Sequence, residues 1–504
     1  MPRAPHAALA VLAVTLGGCS GGAELGEACV RHSDCESSLQ CAQHVCAPRC
    51  QRAPECGDGY ACDEHGLCNL ATGIIGAACT SEVDCSPGLS CQIQIDAANR
   101  LIKRCAQDNL GAPAGAACAA DPDCRNGTCA LGHCVDLCRI NRDCGAGTSC
   151  MQIPHVEAPS STFSGCLLTN GVLSWPIPTP PPGIPLLLPV PKEATHASVV
   201  VSTAAPRSAG AIRVAAPSTV PVFQLCPKDF DFACSEDAQR AQFYVNPLRH
   251  RRDVEMSVVS IPSTSASRLE TGVYRVLVRS FHVDGSEGPP PSVTAVVRLG
   301  ELSKLDLHFH FLDLADHPCA GAFGEAKLDR TSAQSEAFFQ LDFLENLRSI
   351  FRESGPLTIG EVTYDDVARP DLDGLELAKS SALLALGSAG RGVNVFFVRN
   401  LSPVGIQAFG PNPGPAGLGG TPRSGIVVGI DTLCYRSWKQ LARLTAHEIA
   451  RYMGLYQNVE IGGQTDGIDD TDGSSGNLMF YSELGGTALS PGQREILRRS
   501  PVLR

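Results

Sequence analysis

The chain is 504 residues long, beyond the usual size of one domain, so several domains, each able to bury a core, are expected. Its 43% apolar and 18% charged residues exclude disorder throughout, and 50 glycines and 36 prolines point to many turns and linkers. A net charge of −12 without any Lys/Arg cluster argues against a nucleic-acid partner, whose phosphates require a basic surface.

Residues 1–18 read as a secretory signal: Arg3 and His6 precede an apolar run, 7–16, that is too short for a lasting membrane span. The run ends in Leu16-Gly17-Gly18-Cys19, which resembles the lipobox of bacterial lipoproteins. That resemblance implies that Cys19 is lipidated, becomes the mature N-terminus and anchors the chain to a bacterial membrane. Ser20, in place of the aspartate that retains many lipoproteins at the inner membrane, favours the outer one, with the chain facing the periplasm or the cell surface. Setting Cys19 aside leaves 24 of the 25 cysteines, the even number that an oxidised, exported chain requires.

Residues 19–170 form a cysteine-rich repeat region. The steps Gly26-Glu27-Ala28-Cys29 and Asp34-Cys35, Gly76-Ala77-Ala78-Cys79 and Asp84-Cys85, and Gly115-Ala116-Ala117-Cys118 and Asp123-Cys124 mark three related units. These hold eight, four and eight cysteines, so each can close on itself, and with such short loops disulfides must replace a large core. A zinc cluster is disfavoured, because an exported chain would oxidise the thiols. The spacing resembles small EGF-like or Dickkopf-like modules, which implies a stalk or a binding surface.

Residues 171–191 carry eight prolines, including Pro180-Pro181-Pro182, and read as a semi-rigid linker. Beyond it, 192–302 holds β-branched runs at 197–202, 257–261, 273–281 and 293–299 between turn signals, the pattern of a small β-sandwich. Cys226 and Cys234 are placed to close a local loop within it.

The pattern changes at 303, where Leu305, Leu307, Phe309 and Phe311 alternate with Asp306, His308 and His310, as in a strand with one buried face. Helices are expected at 332–353 and 373–386, and strands at 360–367, 393–398 and 425–430, the last after a Gly/Pro-rich loop at 410–420. Alternating strands and helices imply a layered α/β or α+β domain over 303–504.

The next helix opens at Ser437 with Gln440 three residues on, a capping box, and should stop at Gly454, where a left-handed C-cap is easy. It contains His447-Glu448, and the stretch from there reads His447-Glu448-Ile449-Ala450-Arg451-Tyr452-Met453-Gly454-Leu455-Tyr456-Gln457, with Asn477-Leu478-Met479 about twenty residues later. This resembles the H-E-x-x-H-x-x-G-x-x-H motif and methionine turn of the metzincin zinc metallopeptidases. The resemblance implies an α+β zincin-type domain in which His447 is a residual zinc ligand, Glu448 a vestigial general base, Gly454 the motif turn and Met479 the methionine turn. Arg451 and Gln457 occupy the positions of the other two ligands. Zinc needs three lone-pair donors, and a protonated guanidinium has none, so zinc is expected to be lost and Arg451 to pair with Glu448 one turn earlier. The same resemblance implies a disulfide between Cys319 and Cys434, and makes 425–430 the edge strand along which a peptide would lie.

Other metal ligands are weaker candidates. His308 and His310 read as exposed strand histidines, and Glu460 lies just past the motif turn. Asp466, Asp469, Asp470 and Asp472 with Gly467 and Gly473 could bind calcium but lack EF-hand spacing, so a solvated acidic turn is expected. The expected function is therefore non-catalytic: a membrane-anchored lipoprotein with a pseudo-peptidase domain that binds a protein or peptide. The rivals are an active zinc endopeptidase with atypical ligands and an adhesion protein acting through its cysteine modules.

Overall fold

Loops this short between cysteines cannot bury a core of their own, and in the computed structural model they close into a repeated disulfide unit. The structure describes residues 22–504 except 23, 25–26, 43–44, 51–59, 63–67, 71–72, 99, 182–183, 204–207, 216–220, 224–254, 263–264, 266–267, 283–285, 287, 313, 315–316, 318, 324–326, 355–356, 388–389, 460–464, 467, 469 and 483. In four units the first cysteine bonds to the third and the second to the fourth. The pairs are Cys29–Cys41 with Cys35–Cys46, Cys79–Cys91 with Cys85–Cys105, Cys118–Cys129 with Cys124–Cys134, and Cys138–Cys150 with Cys144–Cys166. The repeat is thus a four-cysteine unit, and the segment 118–166, expected as one unit of eight, is two. Cys50 and Cys68 are disulfide-bonded as well. Bonds at this density fit an extracellular or oxidising compartment.

The Asp-Cys step of the repeat has a physical cause. One 3-10 turn precedes the second cysteine, at His32–Asp34, Glu82–Asp84, Asp121–Asp123 and Asn141–Asp143. Its final Asp folds back to accept two backbone N–H groups at 2.7–3.2 Å: Val30 and Arg31, Thr80 and Ser81, Ala119 and Ala120, Arg139 and Ile140. These donors hold the Asp34 and Asp123 carboxyls below the usual range. The first residue of each turn is a second clamp. His32 Nδ1, Glu82 Oε2, Asp121 Oδ1 and Asn141 Oδ1 each accept the N–H of the third cysteine at 2.7–3.1 Å.

Two four-stranded antiparallel sheets follow. One has the order Gly171–Ile177, Ser292–Leu299, Ala194–Ser202, Met256–Ile261; the other Leu186–Val190, Gly272–Phe281, Ser208–Ala215, Pro221–Phe223. Leu188, Tyr274 and Val276 of the second sheet share one core with Val199, Val259 and Val297 of the first, and that core continues into the cysteine units through Cys91, Leu137 and Phe163. The stretch 171–191, expected as a linker, instead supplies an edge strand to each sheet. Its prolines require that position: Pro176 and Pro189 have no N–H to give, and only an edge strand has a side without a ladder. The pair Cys226 and Cys234 lies outside the described residues.

From residue 303 the chain builds a five-stranded sheet in the order Thr358–Asp366, Lys304–Phe311, Val393–Val398, Ile426–Gly429, Ala408–Phe409, parallel except for the last. The strand 425–430 expected at the edge is therefore internal, and the edge belongs to Ala408–Phe409, too short a strand to carry a period. Lys304–Phe311 is buried on both faces rather than one, as parallel sheets require. Its polar residues find partners inside: Asp306 accepts the Glu361 N–H at 2.6 Å and pairs with Arg504, and His310 Nε2 meets Asn394 Oδ1 at 2.9 Å.

The helix expected at 332–353 is present as Arg330–Ser335, a wide π-helical segment Phe338–Leu344 and Glu345–Ser354, with Phe339, Phe343, Leu347 and Phe351 in the core. The one expected at 373–386 shrinks to Ser380–Leu384. Gly374–Glu376 instead runs parallel to Asn400–Ser402, held by the Arg399 N–H on the Asp373 carbonyl at 2.7 Å. No helix among the described residues is long and apolar enough to cross a membrane.

This region is seated on the first antiparallel sheet. Ala416 and Leu418 pack against Val200, Val258 and Val296, and buried Arg298 donates to the carbonyls of Ser500 and Leu302 at 3.2 and 2.9 Å.

The Asp clamp predicts that Asp84→Ala, which leaves the Thr80 and Ser81 N–H groups without their acceptor, destabilises the chain by about 2 kcal/mol. Chemical denaturation should show a lowered midpoint with an unchanged slope; an unchanged midpoint would remove the clamp from the account.

Candidate functional site

The motif helix, Trp438–Tyr452, starts as its capping box dictates: the Gln440 N–H reaches Ser437 Oγ at 3.3 Å and the Ser437 N–H reaches Gln440 Oε1 at 2.9 Å. It ends before Gly454, whose φ of +114° lies where side-chain-bearing residues are strained. Cys434, just upstream, is bonded to Cys319, 115 residues earlier, and so ties the helix entry to the segment after the first strand. Every residue from Leu441 to Ala450 is buried, so each polar side chain on the helix must find a partner within the protein.

Two of them share one acceptor. Arg443 Nη2 donates to the Leu478 carbonyl at 2.8 Å, and its other nitrogens reach Ser482 O at 2.9 Å and Gly486 O at 3.1 Å. His447, one turn on, approaches the same Leu478 carbonyl through Nδ1 at 2.8 Å. A carbonyl only accepts, so Nδ1 carries the proton and Nε2 the lone pair. Burial holds the His447 pKa down to about 4, with Glu448 opposing and Arg451 reinforcing the shift. The imidazole is therefore neutral at pH 7.

Met479 follows directly and is fully buried; its N–H donates to Asn477 Oδ1 at 2.8 Å and its carbonyl accepts the Asn458 N–H at 3.1 Å. Sequence reasoning missed Arg443. Its one signal is a cation four residues before His447, on the same helical face.

Glu448 is 4% exposed and paired with Arg451, whose Nη1 lies 3.2 and 3.3 Å from the two carboxylate oxygens. The loop after the edge strand lies over this face. A Cβ on Gly410 would stand 3.2 Å from Glu448 Oε2, and one on Gly414 would fall 2.4 Å from the Tyr452 ring, so both positions need the bare backbone. The Gly414 N–H donates to the Tyr452 carbonyl at 2.9 Å and fixes the loop there.

The remaining candidates lie apart from this arrangement or serve other ends. Gln457 is half-buried beyond the motif turn, and Glu460 lies outside the described residues. Against the expectation of exposed strand histidines, His310 is buried, and His308 is half-buried with both ring nitrogens engaged, by Thr363 Oγ1 at 2.8 Å and Arg391 O at 2.9 Å. The acidic stretch is likewise not merely solvated. Asp470 accepts the Ser490 hydroxyl and the Gly492 N–H at the start of the last helix, and Asp466, buried and pushed up to about 6, accepts Gln493 Nε2 at 3.1 Å. Asp472 accepts the Ser474 N–H at 3.1 Å, and Asp469 lies outside the described residues.

A peptidase-type zinc site needs three lone-pair donors and an open fourth position. Among the described residues no set of three His, Cys, Asp or Glu ligand atoms includes His447, and Arg451 has no lone pair to give. His447 and Glu448 are also both nearly closed to solvent. The side chains as placed do not fit a three-ligand zinc. What they form is a buried imidazole and a buried ion pair. Comparison with family models and with curated proteins finds no match to this chain.

Arg443→Ala is expected to cost about 3 kcal/mol, because it strips a buried cation from several carbonyls. Limited proteolysis should then cut first at 478–486, and an unchanged cleavage pattern would count against Arg443 as the organiser of that loop. For His447 the sign is fixed by its depressed pKa. Between 6.5 and about 4 the unfolded chain holds the extra proton, so stability falls as the pH falls through that window. Thermal unfolding followed across those values should show the loss, and His447→Gln should reduce it; equal losses in both proteins would assign the effect elsewhere.

Proposed function

We propose that this protein is an exported lipoprotein, held through Cys19 to a membrane, the outer one by preference, whose 303–504 region is a metzincin-like domain that has given up catalysis and binds a protein or peptide. In this reading the two antiparallel sheets form a β-sandwich that, with the cysteine units, carries the domain away from the membrane. The observation that carries the proposal is the Glu448–Arg451 pair. A general base must face a metal-bound water; this carboxylate faces a guanidinium and lies under the backbone of Gly410.

The edge strand Ala408–Phe409 is the segment along which an extended peptide would pair, because among the described residues its one ladder is to Ile426–Gly429, at the end of the sheet. Backbone pairing gives affinity without any chemistry at Glu448, which is how a closed site remains compatible with a binding role.

The test is the zinc content of the mature chain beside an Arg451→His/Gln457→His double variant, together with casein cleavage by both. The natural chain is expected to be metal-free and inert, and the variant to gain up to about one zinc per chain. Near-stoichiometric zinc in the natural chain, or cleavage that a chelator stops, would replace this reading with an active zinc endopeptidase. A variant that gains no zinc would detach the helix from the metzincin resemblance.

A further inference from the structure

The disulfides differ in what they join and in what can reach them. The eight pairs of the four cysteine units described above span 10 to 22 residues each, and their cysteines are buried or half-buried. Cys319–Cys434 spans 115 residues and is lopsided. Cys319 is 6% exposed, whereas Cys434, followed by Tyr435 at 54%, is exposed. Among the cysteines whose burial is described, Cys434 is the one that is exposed. Thiol–disulfide exchange begins when an external thiolate reaches one sulfur, so access decides which bond opens and at which end.

The surroundings suit an opened bond as well as a closed one. Cys319 Sγ lies 3.6 Å from the Asp431 carbonyl, an acceptor in place for the thiol that opening leaves there. The two sides also share tethers that need no sulfur. His317 Nδ1 accepts the Cys319 N–H at 3.0 Å, so Nε2 carries the proton and donates to the Arg399 carbonyl at 2.9 Å. The Asp431 N–H donates to that same carbonyl at 3.1 Å. Trp438 Nε1, at the start of the motif helix, donates to the Ala322 carbonyl at 2.8 Å. Both ends of the disulfide are therefore held near each other by hydrogen bonds that do not depend on it.

We propose that Cys319–Cys434 is a reducible clasp, opened by a dithiol reductant that attacks Cys434 and closed again without loss of the fold. The reductant's thiolate attacks Cys434 Sγ, and the S–S bond breaks. Its electron pair goes to Cys319 Sγ, which takes a proton from solvent. The reductant's second thiolate then attacks its own sulfur in the mixed disulfide and releases Cys434 as a thiolate. The dithiol ends as a disulfide, and the protein holds two thiols. Opening leaves the turn Ile430–Cys434, at the entry to the motif helix, joined to the segment after Lys304–Phe311 by noncovalent contacts alone.

The test treats the full chain in native buffer with limiting dithiothreitol, alkylates freed thiols with N-ethylmaleimide at intervals and locates the labels by peptide mass. Cys319 and Cys434 are expected to be labelled about tenfold faster than any cysteine of 29–166, because the exchange rate follows access. Far-UV circular dichroism should not change. Reduced glutathione, a monothiol that cannot complete the second step, should be trapped on Cys434 and not on Cys319, and oxidised glutathione should restore the Cys319–Cys434 pair in the opened chain. Reduced thioredoxin separates the sources of the dithiol: opening by both reagents admits a protein reductant, and opening by dithiothreitol alone restricts it to a small one. Earlier labelling within 29–166, glutathione on Cys319, opening only in denaturant, or loss of the circular dichroism signal on opening would overturn the proposal.

Discussion

The C-terminal region depends on one carbonyl. Leu478 O accepts from Arg443 and from His447, which stand one turn apart on a helix with no solvent-facing side in its central turns. Burying a guanidinium and an imidazole on such a helix would cost several kcal/mol if either lacked a partner. The loop 478–486 supplies those partners, so helix and loop form together. Met479 is carried into the core by the same contact, and Asn458 then ties the turn beyond Gly454 to the Met479 carbonyl. The tautomer of His447, the burial of Met479 and the path of the chain after the motif are therefore consequences of a single arrangement.

Arg451 supplies the other electrostatic condition. Glu448 is buried whatever its role, and a buried carboxylate requires a cation or a proton. The guanidinium provides that cation from within the helix itself, at a spacing of three residues that needs no movement of the backbone. A peptidase would place a metal there instead. The residue at 451 thus decides two things together: whether a third-party cation is needed to make burial of Glu448 tolerable, and whether the carboxylate is free to take a proton from water. In this chain the answer to both lies in the arginine.

What was legible in the sequence was local. Ser437 with Gln440 and Gly454 bounds the motif helix by chemistry that acts within a few residues, and the apolar periods of 197–202, 273–281 and 393–398 mark strands wherever their partners lie. The pairing of Arg451 with Glu448 was readable for the same reason. Partners distant in sequence were not. Arg443 looks like an ordinary helix charge until the 478–486 carbonyls are placed around it. The edge strand Ala408–Phe409 is two residues long and has no period to detect. In 171–191 the prolines signalled a linker, but an edge strand tolerates them equally, and only the position of the neighbouring strand distinguishes the two. The cysteine units give the sharpest case. Their Asp clamp shows in the sequence because Asp fills it in all four described units, whereas the other clamp is filled by His, Glu, Asp or Asn and leaves no repeat to see.

The loop 410–424 joins these local and distant constraints. It leaves the edge strand, lays Gly410 and Gly414 against Glu448 and Tyr452, and then sends Ala416 and Leu418 into the outer face of the neighbouring antiparallel sheet. Its position over the ion pair is therefore set from two sides. Lifting it would break the Gly414–Tyr452 hydrogen bond and also pull Ala416 and Leu418 away from the apolar cluster they share with Val200, Val258 and Val296. A site closed merely by a surface loop could open at little cost, because such loops have few buried contacts. This one is part of the seam between two layers of the molecule, so closure over Glu448 follows from how the C-terminal region is seated and would persist for as long as that seam holds.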